Sequence, residues 1–235
     1  MSAYPFEETS TAGSGESGGH LSRRSFLRGT AATLGAVGLG GTLAGCQTDG
    51  GMTRAQAAIA YGPLPDEPFP VPAVDLDRID RKFYRRTVRY DTDAAPGTII
   101  IDPNDYYVYF VEPDGYATRY GANVPKPEFL WDGTAYVGRK AEWPVWTPTP
   151  DQIGRDPELK QYAGGMPPSL KNPLGARVLY LYQDGQYTLC TIYSTIYPHS
   201  IGQGVSSGCI GLLTQDMLHL YARAPVDTNV VILPA

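Results

Sequence analysis

The chain has 235 residues, of which 42% are hydrophobic and 18% are charged, and this balance is typical of a globular protein rather than a disordered one. The net charge of −5 at pH 7 is spread along the chain without a basic face, so we expect no nucleic-acid partner. The 27 Gly, 21 Pro and 17 Tyr favour short strands joined by turns. These numbers predict one mainly β domain with appendages.

The cysteines and histidines are too few and too scattered for a metal centre. Cys46, Cys190 and Cys209 show no CxxC pairing, and the chain has only three histidines. Neither a zinc site nor a framework of disulfides fits this pattern. We therefore expect no metal and no cofactor.

The N-terminal segment is typical of an export signal. Residues 1–21 are polar and rich in Ser, Gly and Glu, which predicts disorder. In residues 22–46, the pair Arg23-Arg24 is followed by Phe26-Leu27 and a weakly apolar run, which resembles a twin-arginine signal. The alternative is an ordinary helix, but the run is too rich in glycine for that and too short to span a membrane.

The signal ends in Leu43-Ala44-Gly45-Cys46, which resembles the lipobox of bacterial lipoproteins. Lipidation of Cys46 would anchor the domain to a membrane from the periplasmic side. The alternative is ordinary cleavage among small residues beside an incidental cysteine. The expected location is therefore the periplasm, as a membrane-anchored lipoprotein.

Residues 47–95 are predicted to be a linker and a basic lead-in to the domain at 96–235. The first part lacks apolar periodicity and contains many prolines and glycines. The arginine-rich stretch at 76–90 could bind anionic headgroups or glycan-linked peptide. A solvated lead-in strand is the favoured interpretation of that stretch.

The domain opens with a predicted meander of three strands at Thr98–Asp102, Tyr106–Val111 and Tyr116–Val124. A further strand is predicted at Trp131–Arg139. The segment Thr147–Pro173 has little periodicity, and such long loops tend to be lids or binding loops.

The strongest local signal is a hairpin. Arg177–Tyr182 and Tyr187–Tyr193 are apolar, β-rich runs on either side of Asp184-Gly185. They lead into HSIGQGVSSGCIGLL at 199–213, a loop rich in Gly and Ser that presents Cys209. The remaining predicted elements are a helix at Thr214–Arg223, capped by Thr214, and a strand at Asn229–Leu233.

Together these pieces carry a family resemblance across residues 97–233. The matching stretches, in chain order, are GTIIID, YGANV, WDGTAYVGRKAEWPVWTPTP, NPLGARVLYLY, SIGQGVSSGCIGLL and YARAPVDTNVVIL. The chain resembles the L,D-transpeptidase (YkuD) catalytic domain, a family of cysteine acyltransferases that remodel bacterial peptidoglycan. The resemblance implies a mainly β, sandwich-like fold with one short helix after the cysteine loop.

The resemblance also implies a reaction and its residues. Cys209 matches the nucleophile that attacks a carbonyl of a peptidoglycan stem peptide, releases the terminal D-alanine and passes the acyl group to an amine. Ser207 and Gly208 would offer backbone N–H groups to the developing oxyanion. The implied partner is therefore a peptidoglycan stem peptide.

The sequence departs from the family pattern around the expected base. Tyr193 stands where the family has histidine, and Gly211 and Thr191 stand where it has arginines. His199, on the loop between, is a possible substitute base, although a lone loop histidine is more often simply exposed. The helical spacing of His219 indicates a position on the helix face.

Two functions from different classes stay open. One is an active transpeptidase that uses Cys209 with a relocated base. The other is a catalytically impaired member that binds peptidoglycan or regulates a partner, with a purely structural envelope lipoprotein as a weaker third reading.

Four further residues have candidate roles in both readings. Trp143, Trp146 and Arg177 are candidate substrate contacts, with aromatic packing and a buried ion pair as the alternative. Cys190 is expected to be a buried thiol, although a disulfide with Cys209 is conceivable in an oxidising compartment.

Overall fold

A computed structural model describes residues 51–235 of the protein. The predicted disordered N-terminus and the predicted signal with its lipobox cysteine, Cys46, lie outside the described residues. Across residues 51–235, no helix is both long enough and apolar enough to cross a membrane.

Strands make up most of the regular structure. They are β1 (Arg86–Arg89), β2 (Ile99–Asp102), β3 (Tyr107–Val111), β4 (Tyr116–Pro125), β5 (Gly133–Glu142), β6 (Arg177–Gln183), β7 (Gln186–Ser194), β8 (Gly204–Ser206), β9 (Ile210–Leu212) and β10 (Asn229–Ile232). The α-helices are α1 (Arg54–Ala60), α2 (Pro150–Arg155) and α3 (Thr214–Arg223). The prediction of a mainly β fold is confirmed.

The strands form one sheet that closes on itself like a barrel. The order is β1-β4-β3-β2-β10-β5-β6-β7-β9, and β9 pairs back onto β4 in antiparallel register. Closure removes all but the outermost strand edges and encloses a single apolar core. Fully buried members of that core include Ile99, Val108, Leu179, Ile192 and Leu212.

The predicted hairpin is confirmed as β6 and β7. Asp184 and Gly185 both have positive φ, at 48° and 76°, which matches the twist that two-residue hairpin turns require. Past the turn, Leu189 on β7 also has a positive φ of 62°, beside a register shift between Tyr180 and Tyr182. This irregularity exposes the Leu189 side chain and turns its carbonyl toward the start of β9.

The segment expected to be a linker and lead-in is packed against the sheet where it is described. Thr53 and Gln56 form a capping box that starts α1. Further along, Phe83 is buried in a second apolar cluster and fills the space that a side chain at Gly121 or Gly202 would need. The segment shows no periodicity because it is built from one short α-helix, two 3₁₀ turns, the four-residue strand β1 and irregular chain.

The long segment at 147–173 contains ordered turns. It holds α2, whose Thr149 and Gln152 form a capping box, and a 3₁₀ helix at Pro157–Tyr162. The side chain of Asn172 closes the segment by donating to the carbonyl of Pro144 at 2.9 Å. Its proposed movement as a lid stays a prediction.

Helix α3 follows the cysteine loop, as predicted, and begins at Thr214. The predicted cap at Thr214 is wrong, because Thr214 is already the first helical residue and the N-cap is Leu213, whose apolar side chain makes no capping bond. Gln215 and Asp216 are both buried, and they face the N-terminal segment rather than solvent. The helix therefore ties the region after the cysteine to the chain around Tyr61.

Candidate functional site

The cysteine loop is fixed by backbone bonds to β4. The N–H groups of Val124 and Lys126 donate to the carbonyls of Gln203 and Ser206 at 3.1 and 3.0 Å. The Ser206 hydroxyl in turn donates to the carbonyl of Cys209 and closes the turn. Cys209 is thereby held at the start of β9 by a short, rigid connection.

Gly208 makes that turn possible. Its φ is 127°, a conformation that residues with a side chain rarely adopt. In the described part of the chain, neither Ser207 nor Gly208 donates its backbone N–H to another protein group. Both N–H groups are therefore available to an acceptor outside the protein, as an oxyanion hole requires.

Asn123 on β4 braces the loop at both ends. Its carbonyl oxygen accepts from the N–H of Gly211 at 2.9 Å, and its amide donates to the hydroxyl of Ser200 at 2.7 Å. The side chain is almost fully buried. Sequence reasoning did not single out Asn123, although a lone amide inside an apolar strand is a signal for such a role.

Register places the functional side chains on one face of the sheet. Strands β7 and β9 are parallel, with Ile192 opposite Ile210 and both in the core. The neighbours of these core residues, Thr191 and Cys209, therefore point to the outer face together. Two residues further along the same face, Tyr193 lies opposite Gly211.

The surroundings of Cys209 favour the neutral thiol. The sulfur donates to the carbonyl of Leu189 at 3.7 Å. Burial raises the pKa of Cys209, and hydrogen bonding with Thr191 opposes that shift only in part. No lysine, arginine or histidine of residues 51–235 contributes to the pKa of this thiol. The structure thus supplies no cation to stabilise a thiolate.

Tyr193 interacts with the thiol without being able to accept its proton at neutral pH. Burial raises the pKa of Tyr193 to about 12, and the negative charge of a Cys209 thiolate adds to that shift. Hydrogen bonds with Asn123 and Thr195 act in the opposite direction. The phenol is therefore protonated at neutral pH and cannot take the proton of the thiol.

The two described histidines lie elsewhere. His199 is exposed on a 3₁₀ turn, and its ring stands beside Tyr197 with 6.0 Å between centroids. On α3, the Nδ1 of His219 is 2.8 Å from the Tyr120 hydroxyl, and burial with nearby arginines lowers the pKa of His219 to about 4. Neither ring forms a hydrogen bond with Cys209 within the described residues, and the role of His199 as a base stays a prediction.

His199 instead lines a separate cavity of about 300 Å³. Trp143, Thr195 and Gln215 also line it, together with residues 71–75 of the N-terminal segment. Cys209 does not contribute to its walls. The sequence-predicted site residues therefore fall into two groups. Tyr193, Ser207 and Gly208 lie with Cys209. A second group makes no hydrogen bond with the thiol within residues 51–235, and it consists of Trp143 and His199, which line this cavity, and Trp146 and Arg177, which do not.

Two of the candidate substrate contacts in the second group bind Glu67. Arg177 makes a bidentate ion pair with it, at 2.8 and 3.0 Å, and Trp143 donates its indole N–H to the same carboxylate at 2.8 Å. Trp146 pairs through its backbone with Met166. In this structure Arg177 and Trp143 hold the N-terminal segment against the domain.

Both described cysteines are free thiols. Cys190 points into the core, next to the outward-facing Thr191, and is buried. Among residues 51–235, no three His, Cys, Asp or Glu side chains converge in a way that could hold a metal ion.

Comparison with known proteins now identifies the family. The model of the YkuD family, the L,D-transpeptidase catalytic domain, matches residues 96–232. This chain belongs to that family.

Named relatives are similar over parts of the chain. A protein of Fuscovulum blasticum, named for an L,D-transpeptidase-type reading frame in its ATP synthase region, is 36% identical over 43% of this chain and 49% of its own length. The probable L,D-transpeptidase ErfK/SrfK of Escherichia coli K12 is 29% identical over 60% of this chain and 45% of its own length. The chain thus spans about half the length of the curated relatives it matches.

Solved structures are also similar to this chain. A Brucella melitensis crystal structure, described as a probable carnitine operon oxidoreductase, is 39% identical over 68% of this chain and 99% of its own length. Its TM-score is 0.47, so its name and its overlay carry no argument here.

Proposed function

We propose that this protein holds peptidoglycan stem peptides at the Cys209 loop without rapid acyl transfer at neutral pH. Membership of the L,D-transpeptidase family supports the class of ligand. The position of Tyr193 carries the rest of the proposal, because this phenol stands beside the thiol where the family resemblance calls for an imidazole.

The chemical step needs a proton acceptor that the site does not supply. A thiol attacks a carbonyl as the thiolate, so the proton must leave before or during attack. Tyr193 and Thr191 cannot accept it at neutral pH, and burial raises the pKa of Cys209 itself. Loss of general-base assistance costs about 10²- to 10⁴-fold in rate.

The features that would hold a ligand are kept. The turn at Gly208 and the brace at Asn123 fix the loop, and the N–H groups of Ser207 and Gly208 are free to donate. A peptide carbonyl could accept from them without any reaction. Binding and turnover are therefore separable properties in this proposal.

The test compares binding with turnover in one preparation. Wild type and Cys209→Ala should sediment equally with purified sacculi, while mass spectrometry of a stem tetrapeptide should show little Cys209-dependent release of D-alanine at pH 7. Cys190→Ala is the matched control for removal of a thiol. Absence of sacculus binding, or fast release of D-alanine that Cys209→Ala abolishes, would refute the proposal.

Active L,D-transpeptidation is the second candidate. The half-buried Cys209, with free N–H groups beside it, keeps a geometry in which a thioester could form. This candidate expects a covalent carbapenem adduct on Cys209 within minutes at pH 7, detected by mass spectrometry. If His199 moves in as the base, His199→Ala should abolish that adduct, whereas an unchanged rate would exclude His199.

Export and anchoring are part of the same proposal. The twin-arginine-type signal and the lipobox-like residues before Cys46 support a periplasmic lipoprotein. Cys46→Ser should abolish acyl labelling and release the protein from membranes, and unchanged fractionation would contradict the anchor.

A further inference from the structure

Arg139 is an exposed cation that lies in one row with Cys209 across the outer face of the sheet. Its register partner on β6 is Tyr180, and the partner of Tyr180 on β7 is Thr191. The parallel pairing of β7 and β9 then places Thr191 beside Cys209. The four side chains therefore share one face and one level of the sheet.

The guanidinium of Arg139 is held in place but not neutralised. It lies over the ring of Tyr180, with 3.5 Å between its central carbon and the ring centroid. Within residues 51–235, Arg139 makes no ion pair and donates no hydrogen bond. Its N–H groups are thus free for a planar anion, and carboxylate matches the guanidinium fork.

Tyr187 connects this cation with the thiol. Its ring packs edge-on against Tyr180, with 5.6 Å between centroids. Burial raises the pKa of Tyr187, the charge of a Cys209 thiolate adds to the shift, and Arg139 opposes it. The phenol therefore lies within electrostatic range of both groups.

The neighbouring cation on the strand does not share this face. Lys140 donates to the carbonyl of Tyr221 at 2.6 Å on the other side of β5. Arg177 is bound to Glu67. Among these three cations of β5 and β6, Arg139 is the one left for an external anion.

We propose that Arg139, lying on Tyr180, binds a carboxylate of the peptide that occupies the Cys209 loop. The inference rests on the proposed function for the identity of that peptide, although the cationic subsite itself can be tested without it. Three strand spacings separate Arg139 from Cys209, so the site would select peptides whose free carboxylate lies about 14 Å from the carbonyl at Cys209.

A pair of thiol reagents tests the subsite without peptidoglycan. Iodoacetate and iodoacetamide react alike, since the thiolate forms a carbon–sulfur bond and iodide leaves, but only iodoacetate carries a carboxylate. At Cys209, peptide mass spectrometry at pH 9.5 and low salt gives the rate ratio of iodoacetate to iodoacetamide. This ratio should exceed the ratio in denatured protein by about 1.5-fold, as expected for one exposed charge about 14 Å away. High salt should remove the excess, because ions screen exposed charges.

Variants of Arg139 test whether this residue causes the excess reactivity of Cys209 toward iodoacetate. Arg139→Gln should lower the ratio to the denatured value, whereas Arg139→Lys should retain part of it. Arg89→Gln is the matched control. Arg89, on β1, is also an exposed arginine, and its guanidinium lies over the ring of Tyr116 on β4. An unchanged ratio in Arg139→Gln, or an equal fall in Arg89→Gln, would overturn the subsite.

A second measurement separates the two proposals. A stem tetrapeptide with free carboxylates should bind Arg139→Gln about tenfold more weakly than wild type, while the fully amidated peptide should bind both equally. Failure of wild type to bind the tetrapeptide would overturn the proposal that the ligand is a stem peptide. The rate ratio of iodoacetate to iodoacetamide would still show whether Arg139 forms an anion-binding subsite. Equal affinity of wild type and Arg139→Gln for the free-acid peptide would overturn the role of Arg139.

Discussion

Two clusters of polar side chains in this protein differ in how well they are paired. Around Asp216, the carboxylate accepts from Arg85 at 3.2 Å and from the Tyr61 hydroxyl at 3.1 Å. Around Cys209, the thiol donates to the carbonyl of Leu189 at 3.7 Å. The hydroxyl of Thr191 is buried, and within residues 51–235 its one interaction is a weak contact with the Cys209 thiol. The first cluster is satisfied and the second is not.

The two clusters differ in pairing because one holds segments of the chain together and the other surrounds a potentially reactive thiol. The Asp216 cluster fastens the N-terminal segment to α3, and a buried charge there must be paired to be tolerated. The Cys209 cluster holds a thiol on a braced loop, and no lysine, arginine or histidine among residues 51–235 contributes to the pKa of that thiol. Pairing is thus complete where the cluster fastens two segments together and incomplete at the thiol.

The largest expected effect comes from restoring an imidazole beside the thiol. Tyr193→His should raise the rate at which iodoacetamide labels Cys209 at pH 7 by about 100-fold, because the imidazole can take the proton and, once charged, stabilise the thiolate. The labelling reaction is quenched at set times, and peptide mass spectrometry then measures the rate at which Cys209 is modified. Tyr197→His, at an exposed loop position, should leave it unchanged, and an unaltered rate in Tyr193→His would show that position 193 does not reach the sulfur.

Breaking the paired cluster should give the next largest effect. Burial raises the pKa of Asp216 to about 7, against the opposing effect of Arg85, so the carboxyl group is mostly ionised only above about pH 8. Asp216→Asn then leaves Arg85 facing no charge and should lower the free energy of unfolding at pH 8 by about 3 kcal/mol. Urea denaturation followed by tryptophan fluorescence measures the loss. The exposed Asp93→Asn should change stability little, and a similar loss there would remove the special role of the buried pair.

A smaller loss of stability is expected at Gly211, where Asn123 holds the cysteine loop. A Cβ on Gly211 would lie 2.6 Å from the Asn123 carbonyl oxygen, so Gly211→Ala must displace a bonded side chain and should cost about 2 kcal/mol of stability. Gly154→Ala has open space around it in α2 and should be neutral or slightly stabilising. Thermal unfolding of both variants measures these changes in stability. Equal melting temperatures for Gly211→Ala and Gly154→Ala would contradict the tight packing of Gly211 against Asn123.

The parts of the fold that sequence predicted are those with local signals. The strands around Ile100 and Tyr109 follow from β-branched and aromatic runs between turn residues, and the hairpin follows from Asp184-Gly185. The packing of Phe83 could not be predicted, because no period marks it and its partners lie far away in the sequence. Family resemblance alone supplied the expectation that Cys209 is the nucleophile.

The sequence could not show which residues lie near Cys209, because these residues also come from distant parts of the chain. Sequence proximity suggested that His199 could serve Cys209. In the structure His199 lines the cavity shared with Trp143, and its role as a base stays a prediction. Conversely, Arg139 is 70 residues from Cys209 in the chain, and only strand register places the two in one row. Spacing along the chain does not encode such cross-strand neighbours.

The most direct test of an unactivated thiol is the pH dependence of Cys209 alkylation in native and urea-denatured protein. A free thiol titrates near pKa ~8.5. Burial raises the pKa of Cys209, so the native protein should label more slowly than the denatured one at pH 7 and reach half its maximal rate at a higher pH. A native midpoint below that of the denatured protein, with faster labelling at pH 7, would contradict the account.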